Sequence, residues 1–313
     1  MLDIAVIGAG MAGLTAGLYG ARSGLETVVF EQFMPGGQTA NIIQLENYPG
    51  FPDGVNGADL MLAVMTQAEK AGCRLRYAGV DKLIPGGEGE PHTLVTPEGK
   101  EQAKAVIICG GALPRKLGLE NESRLTGHGV SYCAACDAPL TRDKTVAVAG
   151  GGAAAVRDAL ELTSTARQIY LICPEEQLSA SPALREQVAA ANNIEVLYNQ
   201  KITALEGEER LSAVTLTDQR ATSLSRRLGL DALFVALGKA PVSEFLGGIL
   251  ELDSRGHIIT DRQLRTSRPG IFAAGDVRDT VLRQVVTAAG DGAVAAVGAA
   301  DYVRGFDKTV KTE

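Results

Sequence analysis

The sequence has no tryptophan, and only 4% of its residues are aromatic. Histidine is as scarce: His92, His128 and His257 are the three, and their separation gives no metal-ligand spacing. The five cysteines are an odd number in a chain of 313 residues, which argues against a secreted disulfide framework. Positive charge is in deficit. Thirty Lys and Arg against 37 Asp and Glu leave a net charge of −7, the wrong sign for binding nucleic acid or an anionic membrane surface. No apolar run nears the ~18 residues of a membrane span, since Asp291 splits the longest Ala/Val/Gly stretch. Met1-Leu2-Asp3 carries an acid where a signal peptide carries basic residues. Mean hydropathy is +0.07, with no polar excess to suggest disorder. The expectation is a cytoplasmic globular chain of about two domains, at roughly 150 residues each.

What is abundant is glycine, at 37 residues. An apolar stretch, Asp3-Ile4-Ala5-Val6-Ile7, reads as a strand and runs into Gly8-Ala9-Gly10-Met11-Ala12-Gly13. A helical stretch over Leu14–Ser23 follows, then a strand Thr27–Phe30 ending at Glu31, 23 residues past Gly8. Each part has a task in holding a dinucleotide. Gly8 permits the turn, Gly10 lets backbone approach a pyrophosphate, and Gly13 packs helix on strand. The helix N-terminus faces the phosphates, and Glu31 can accept from a ribose hydroxyl. The pattern recurs 142 residues later: a strand Thr145–Ala149, the loop Gly150-Gly151-Gly152-Ala153-Ala154-Ala155, a helix to about Thr163, and a strand Gln168–Ile172. In register, Gly8, Gly10 and Gly13 fall on Gly150, Gly152 and Ala155, and Glu31 falls on Cys173. Two such units in one chain predict two dinucleotide sites with electron transfer between them. Further on, Val106–Ala112 reads as a buried strand with a glycine turn. Pro269–Asp276 reads as a strand delivering an acid, and Arg283-Gln284 opens a long Ala/Gly helix to about Tyr302.

Cys133-Ala134-Ala135-Cys136-Asp137 brings the chemistry. The other cysteines (Cys73, Cys109, Cys173) are isolated, so C-x-x-C reads as a redox dithiol rather than half a zinc site. Opening a disulfide requires a proton for the leaving thiolate, and Asp137, directly after the second cysteine, is placed to supply it. A helix cap is the alternative role for Asp137. Cys109 reads as a small core residue, and His128, between two glycines, as structural.

The ordered set Gly8–Gly13, Gly36-Gly37-Gln38, Glu46–Gly50, Cys133–Asp137, Gly150–Ala155, Gly275-Asp276 and Arg283-Gln284 resembles the low-molecular-weight thioredoxin reductases over nearly the whole chain. The resemblance implies an α/β fold of two Rossmann-like, three-layer dinucleotide-binding domains, the second inserted into the first. Residues 1–114 and 245–313 would form the FAD domain, and 115–244 an NAD(P)-type domain carrying the dithiol. It implies a homodimer, a thioredoxin-like protein substrate, and an inserted domain that rotates to present the dithiol alternately to flavin and thioredoxin. Cys136 would lie over the flavin, with Asp137 as the acid. Candidate FAD residues are Gly8, Gly10, Gly13, Glu31, Gly37, Gln38, Asn47, Asp276, Arg283 and Gln284.

One segment departs from that family. After its second Rossmann strand the family carries His-Arg-Arg and a later Arg, which hold the NADPH 2′-phosphate. Here the run is Cys173-Pro174-Glu175-Glu176-Gln177-Leu178-Ser179. Losing two charge-assisted contacts costs about 3–6 kcal/mol, roughly a hundred- to ten-thousandfold in affinity, and two carboxylates now face a dianion. NADPH is disfavoured. NADH, whose ribose diol an acid can hold, is the lesser alternative because Glu175 lies two residues past the in-register position, behind Pro174. The loop Gly150–Ala155 then reads as inherited packing. A ferredoxin-like donor is favoured instead: a plant-type ferredoxin near −400 mV lies about 130 mV below thioredoxin, roughly 6 kcal/mol for two electrons. FAD suits that task because it collects electrons singly and delivers them in pairs. An acidic donor would need a local basic patch, for which Arg226-Arg227 is a candidate and a solvated turn the plainer reading. Two other functions stay open: a flavin-dependent dithiol oxidase using oxygen, whose members tend to carry His after the second cysteine, and a non-catalytic redox sensor.

Overall fold

A computed structural model describes residues 1–309 apart from 43 and 88. The chain forms two compact units, one of residues 1–113 with 240–309 and one of Pro114–Lys239.

In the first unit, strands Arg74–Arg76, Thr27–Phe30, Leu2–Ile7 and Gly99–Ile108 lie side by side in that order and run parallel. The long strand Gly99–Ile108 has two kinds of neighbour along its other edge. Its first half pairs antiparallel with His92–Thr96, and its second half pairs parallel with Ile271–Ala273. Strand alternation explains why both faces are apolar. Ile4 and Val6 enter one core with Leu14, Ala296 and Ala299, while Ala5 and Ile7 enter another with Val28, Phe30 and Leu94. Helix Met11–Arg22 starts earlier than the sequence pattern indicated, directly on the glycine loop, and the last helix runs Val285–Thr309, past Tyr302. These two helices pack at glycine: a Cβ on Gly292 would collide with the Ala12 carbonyl oxygen.

The second unit has a parallel five-stranded sheet, ordered Ile194–Leu197, Gln168–Ile172, Thr145–Ala149, Ala232–Val235, Val130–Ser131. Helices Ala153–Glu161 and Pro182–Ala190 cover one face through Val156, Ala159 and Val188. On the other face lies an antiparallel meander, Gln200–Glu206, Ala213–Asp218 and Ala221–Gly229, which packs Ile202, Val214 and Leu216 against Ala147, Ala149 and Leu233. The expected α/β architecture of Rossmann-like units is therefore present, here in three layers. Arg226 and Arg227 lie within the last meander strand rather than in a turn, so they project to opposite faces. Arg227 pairs with Glu206 at 2.7 Å. They do not form a joint basic patch. No helix among the described residues is long and apolar enough to cross a membrane.

Candidate active site

In the first unit, the parallel strands bring their carboxyl ends to one edge, where such sheets bind ligands. Gly8, Glu31 and the Gly275-Asp276 turn all follow directly on these ends. Gly8 has φ +103°, and a Cβ there would stand 2.6 Å from the Cys109 carbonyl oxygen. A Cβ on Gly13 would collide with the Gly8 carbonyl oxygen, so helix and loop touch backbone to backbone. At Gly10, by contrast, a Cβ would meet nothing within 4 Å. The side of the loop where a pyrophosphate would approach is open. Glu31 Oε2 accepts from the Ala9 amide at 2.7 Å and Oε1 from the Phe33 amide at 3.0 Å, which fixes the carboxylate over the loop.

The other predicted residues gather around this frame. The Gly36 amide donates to the Ala9 carbonyl at 2.8 Å, and Gly37 lies against Gly10. The Gln38 side-chain Nε2 donates to the Ala112 carbonyl. Asn47 Nδ2 donates to Gln284 Oε1 at 3.1 Å, joining residues 237 apart in sequence. Asp276 lies part-buried in the turn Gly275–Val277. That turn is held by a residue with no predicted role: Asp291, on the last helix, accepts from the Gly275 amide at 3.0 Å and takes the Nε and Nη2 edge of the Arg278 guanidinium at 2.7 and 3.0 Å. Arg283 Nε is buried with no partner among the described residues. An orphaned donor, an open glycine loop and a carboxylate poised for a ribose fit FAD. Cys109 is buried in the core beneath the loop, and burial pushes its thiol well above the usual range.

The second unit's loop differs in detail. Gly150 again has a positive φ, +140°, and a Cβ at Gly152 would meet nothing within 4 Å. Ala155, however, keeps its methyl where the first loop has Gly13. Segment 173–179 folds back over the loop: the Ser179 amide donates to the Gly151 carbonyl at 2.8 Å. Glu175 Oε2 accepts from Cys173 Sγ at 3.3 Å and would stand 2.7 Å from a Cβ on Gly151. Register makes Gly151 the counterpart of Ala9. Two residues late and behind a proline, Glu175 still reaches the part of its loop that Glu31 reaches in the first. Burial, with the nearby Glu175 carboxylate, pushes the Cys173 thiol up to about 11.

Also in the second unit, Cys133 and Cys136 form a disulfide with Cα atoms 5.4 Å apart. Cys133 caps the short helix Ala134–Asp137, and its sulfur accepts from the Cys136 amide at 3.2 Å. Asp137 closes that helix, part-buried, and Oδ2 accepts from the Ser131 hydroxyl at 2.6 Å. Ser131 in turn accepts from the Cys133 amide at 3.1 Å. Next along, Tyr132 donates its hydroxyl to Glu122 Oε1 at 2.8 Å, and the Glu122 carboxylate also takes the amides of Leu117, Gly118 and Leu119. Burial opposes ionisation of Glu122, yet these donors outweigh it and hold the carboxyl below its ordinary range. Sequence reasoning missed Ser131, Glu122 and Asp291. For Ser131 the signal was present: a serine two residues before the first cysteine is the spacing of a side-chain turn onto backbone. His128 is exposed in a turn, its ring against the Thr126 carbonyl at 3.3 Å.

Two dinucleotide folds, one with a dithiol loop, define the class of flavin-dependent disulfide reductases. Residues 2–292 match the model of the pyridine nucleotide-disulphide oxidoreductase family. The chain is 40% identical over 301 residues to a thioredoxin reductase of Treponema pallidum, covering 96% of this chain and 97% of that one. The solved structure of thioredoxin reductase from Streptococcus pyogenes is similar at 37% identity and a TM-score of 0.82, covering 97% and 99%. An atypical thioredoxin reductase of Desulfovibrio vulgaris, TRi, is similar at 32% identity and a TM-score of 0.52, covering 97% and 98%. The chain belongs to the pyridine nucleotide-disulphide oxidoreductase family and, within it, to the low-molecular-weight thioredoxin reductases. It is a thioredoxin reductase-like flavoprotein disulfide oxidoreductase, and the family implies FAD and a nicotinamide cofactor.

Proposed function

We propose that this protein reduces the disulfide of a thioredoxin-type protein through Cys133 and Cys136, with a donor other than NADPH. Bound FAD supplies the dithiol with electrons in pairs. The candidate residues Gly8, Gly10, Gly13, Glu31, Gly37, Gln38, Asn47, Asp276, Arg283 and Gln284 hold that group, and the buried Arg283 Nε, without a partner among the described residues, supports this. Once Cys133 and Cys136 are thiols, one attacks the partner's disulfide as the thiolate and forms a mixed disulfide. The second cysteine then displaces the partner's remaining thiolate, closing the Cys133–Cys136 bond. Two electrons and two protons pass to the partner. Asp137 provides the proton taken up by the leaving sulfur when the Cys133–Cys136 bond is next opened. An acid beside the dithiol favours this direction over oxygen-dependent dithiol oxidation, and a complete dithiol–acid set favours turnover over a sensor.

The observation that carries the donor reading is the Glu175 carboxylate on the second glycine loop, within a segment 173–179 that has no basic residue. A 2′-phosphate would meet like charge there. A ferredoxin-like donor of low potential is the favoured source, and NADH the second reading, supported by the likeness of Glu175 on Gly151 to Glu31 on Ala9. Thiols at Cys73, Cys109 and Cys173 outside any disulfide suit the cytoplasm, and the working unit is taken to be a homodimer. The test is an anaerobic titration of flavin absorbance with NADPH, NADH and reduced ferredoxin in parallel. Bleaching by ferredoxin or NADH with none at micromolar NADPH is expected; fast bleaching by NADPH overturns the donor reading.

A further inference from the structure

Asp137 is presented to the dithiol by a residue outside the C-x-x-C motif. Strand Val130–Ser131 is held parallel to Ala232–Val235, with Ser131 opposite Phe234 in the register. That pairing fixes the Ser131 backbone before the chain turns into Tyr132 and Cys133. Tyr132 is tied separately, through its hydroxyl, to Glu122. The Ser131 hydroxyl therefore sits at a defined place, where it does two things. It accepts from the Cys133 amide at 3.1 Å and donates to Asp137 Oδ2 at 2.6 Å. The Asp137 amide also donates to the Cys133 carbonyl at 3.2 Å, so the acid and the first cysteine are linked by backbone on one side and by Ser131 on the other.

We propose that Ser131 is the positioning residue for Asp137: its hydroxyl clamps Oδ2 to the backbone of Cys133, leaving Oδ1 as the oxygen that carries and delivers the proton. A hydroxyl has one hydrogen, and Asp137 Oδ2 at 2.6 Å is a far nearer acceptor for it than the Cys133 carbonyl at 3.4 Å, so the Cys133 amide is received on an oxygen lone pair. An aspartate without this clamp samples several rotamers, and a proton donor must lie within hydrogen-bond reach of its acceptor to be effective. The bond made and broken is unchanged. In the assay below, the attacking thiol takes one sulfur of the Cys133–Cys136 bond, the other sulfur leaves as thiolate, and Asp137 Oδ1 gives that thiolate its proton. The second thiol of the reductant completes the two-electron exchange and leaves the reductant oxidised.

This inference rests on the acid role proposed for Asp137, and the experiment separates the two. Single-turnover opening of Cys133–Cys136 by dithiothreitol would be followed in the FAD-loaded protein by acid quench and alkylation of the new thiols. Four variants are compared with the parent: Ser131→Ala, Ser131→Thr, Asp137→Asn, and Ser131→Ala with Asp137→Asn. Asp137→Asn is expected to slow opening about a hundredfold, the lower end for losing a general acid. Ser131→Ala should slow it about tenfold, the upper end for one hydrogen bond between neutral groups. Ser131→Thr, which keeps the hydroxyl at a strand position suited to β-branching, should restore the rate. The double variant should open no more slowly than Asp137→Asn alone, since a clamp without its acid has nothing to place. An unchanged rate in Ser131→Ala overturns the proposal, as does a double variant slowed by a further tenfold or a threonine that fails to rescue. An unchanged rate in Asp137→Asn removes the acid role itself, and the clamp with it.

Discussion

The two glycine loops of this chain share one pattern and differ at particular points. In the first, helix and loop meet backbone to backbone at Gly13, and Glu31 is bonded to the loop amide of Ala9. In the second, Ala155 holds a methyl at that contact, and Glu175 lies on Gly151 while accepting from Cys173. Gly10 and Gly152 are alike in facing open space. Both loops thus keep an open glycine and a carboxylate at the residue before it, but the second brings its acid from two residues further along the chain.

That comparison can be broken most directly at its tightest contact. Gly13→Ala places a methyl on the Gly8 carbonyl, which no side-chain rotation relieves, and overpacking costs about 1–3 kcal/mol even before the loop is displaced. The purified variant is expected to lose most of its flavin absorbance, whereas Ala155→Gly in the other loop should keep it. The next effect concerns anchoring. Arg278 and Asp291 each keep 16% side-chain exposure, and Asp291 also holds the Gly275 amide. Asp291→Ala leaves a largely buried guanidinium with only the more distant Asp279 carboxylate, at 4.0 Å, as counter-charge, and should cost about 3 kcal/mol in urea unfolding of the FAD-loaded protein, with weakened flavin retention. An unfolding curve unchanged from the parent would show that the turn before Asp276 stands without the helix.

A third change tests the charge at the second loop. Glu175→Arg replaces a repulsive carboxylate with a guanidinium able to take a 2′-phosphate, a contact worth about 1.5–3 kcal/mol. Calorimetric titration should then show 2′-phospho-ADP-ribose binding at least about tenfold tighter than to the parent, with ADP-ribose weakened or unchanged. Equal affinities in parent and variant would place the phosphate elsewhere.

The smallest effect is in acid sensitivity, which should differ between the units. In the first, burial lowers the His92 value from 6.5, so the folded state binds fewer protons than the unfolded one just below that pH. Its contribution is intact above about pH 6.5 and declines as pH falls below it. In the second, Glu122 is also held below its ordinary 4.5 once its donors outweigh burial. Its contribution is intact above that value and is lost only as pH falls through the lower folded one. Hydrogen exchange resolved by segment should show residues around 86–106 loosening at milder acid than residues 117–132. Simultaneous loosening would mean other groups govern both.

Much of this was legible along the chain. Strand, glycine loop, helix and strand are local patterns, and the α/β architecture followed from their repetition at residues 3–31 and 145–172. The dithiol was equally plain, because two cysteines at that spacing can bridge within one helical turn. Helix ends were less so: Met11–Arg22 begins on the loop itself, where glycine and alanine give no periodic signal. The meander that carries Arg226 and Arg227 was not visible, since its strands derive their faces from packing on the parallel sheet. Glu175 was judged by its register position, and a proline-led turn then carried it to where the register would have placed an acid.

The sequence by itself therefore determined the strands and helices around the two glycine loops, the two dinucleotide-type units and the redox pair, because each depends on contacts among near neighbours. Only the tertiary structure decided which distant groups serve them. Asn47 meets Gln284, Asp291 holds the turn at Gly275, and Glu175 settles on the loop at Gly151. Such pairings are set by how helices and strands close upon one another, and that closure brings together residues whose separation along the chain carries no signal of their meeting.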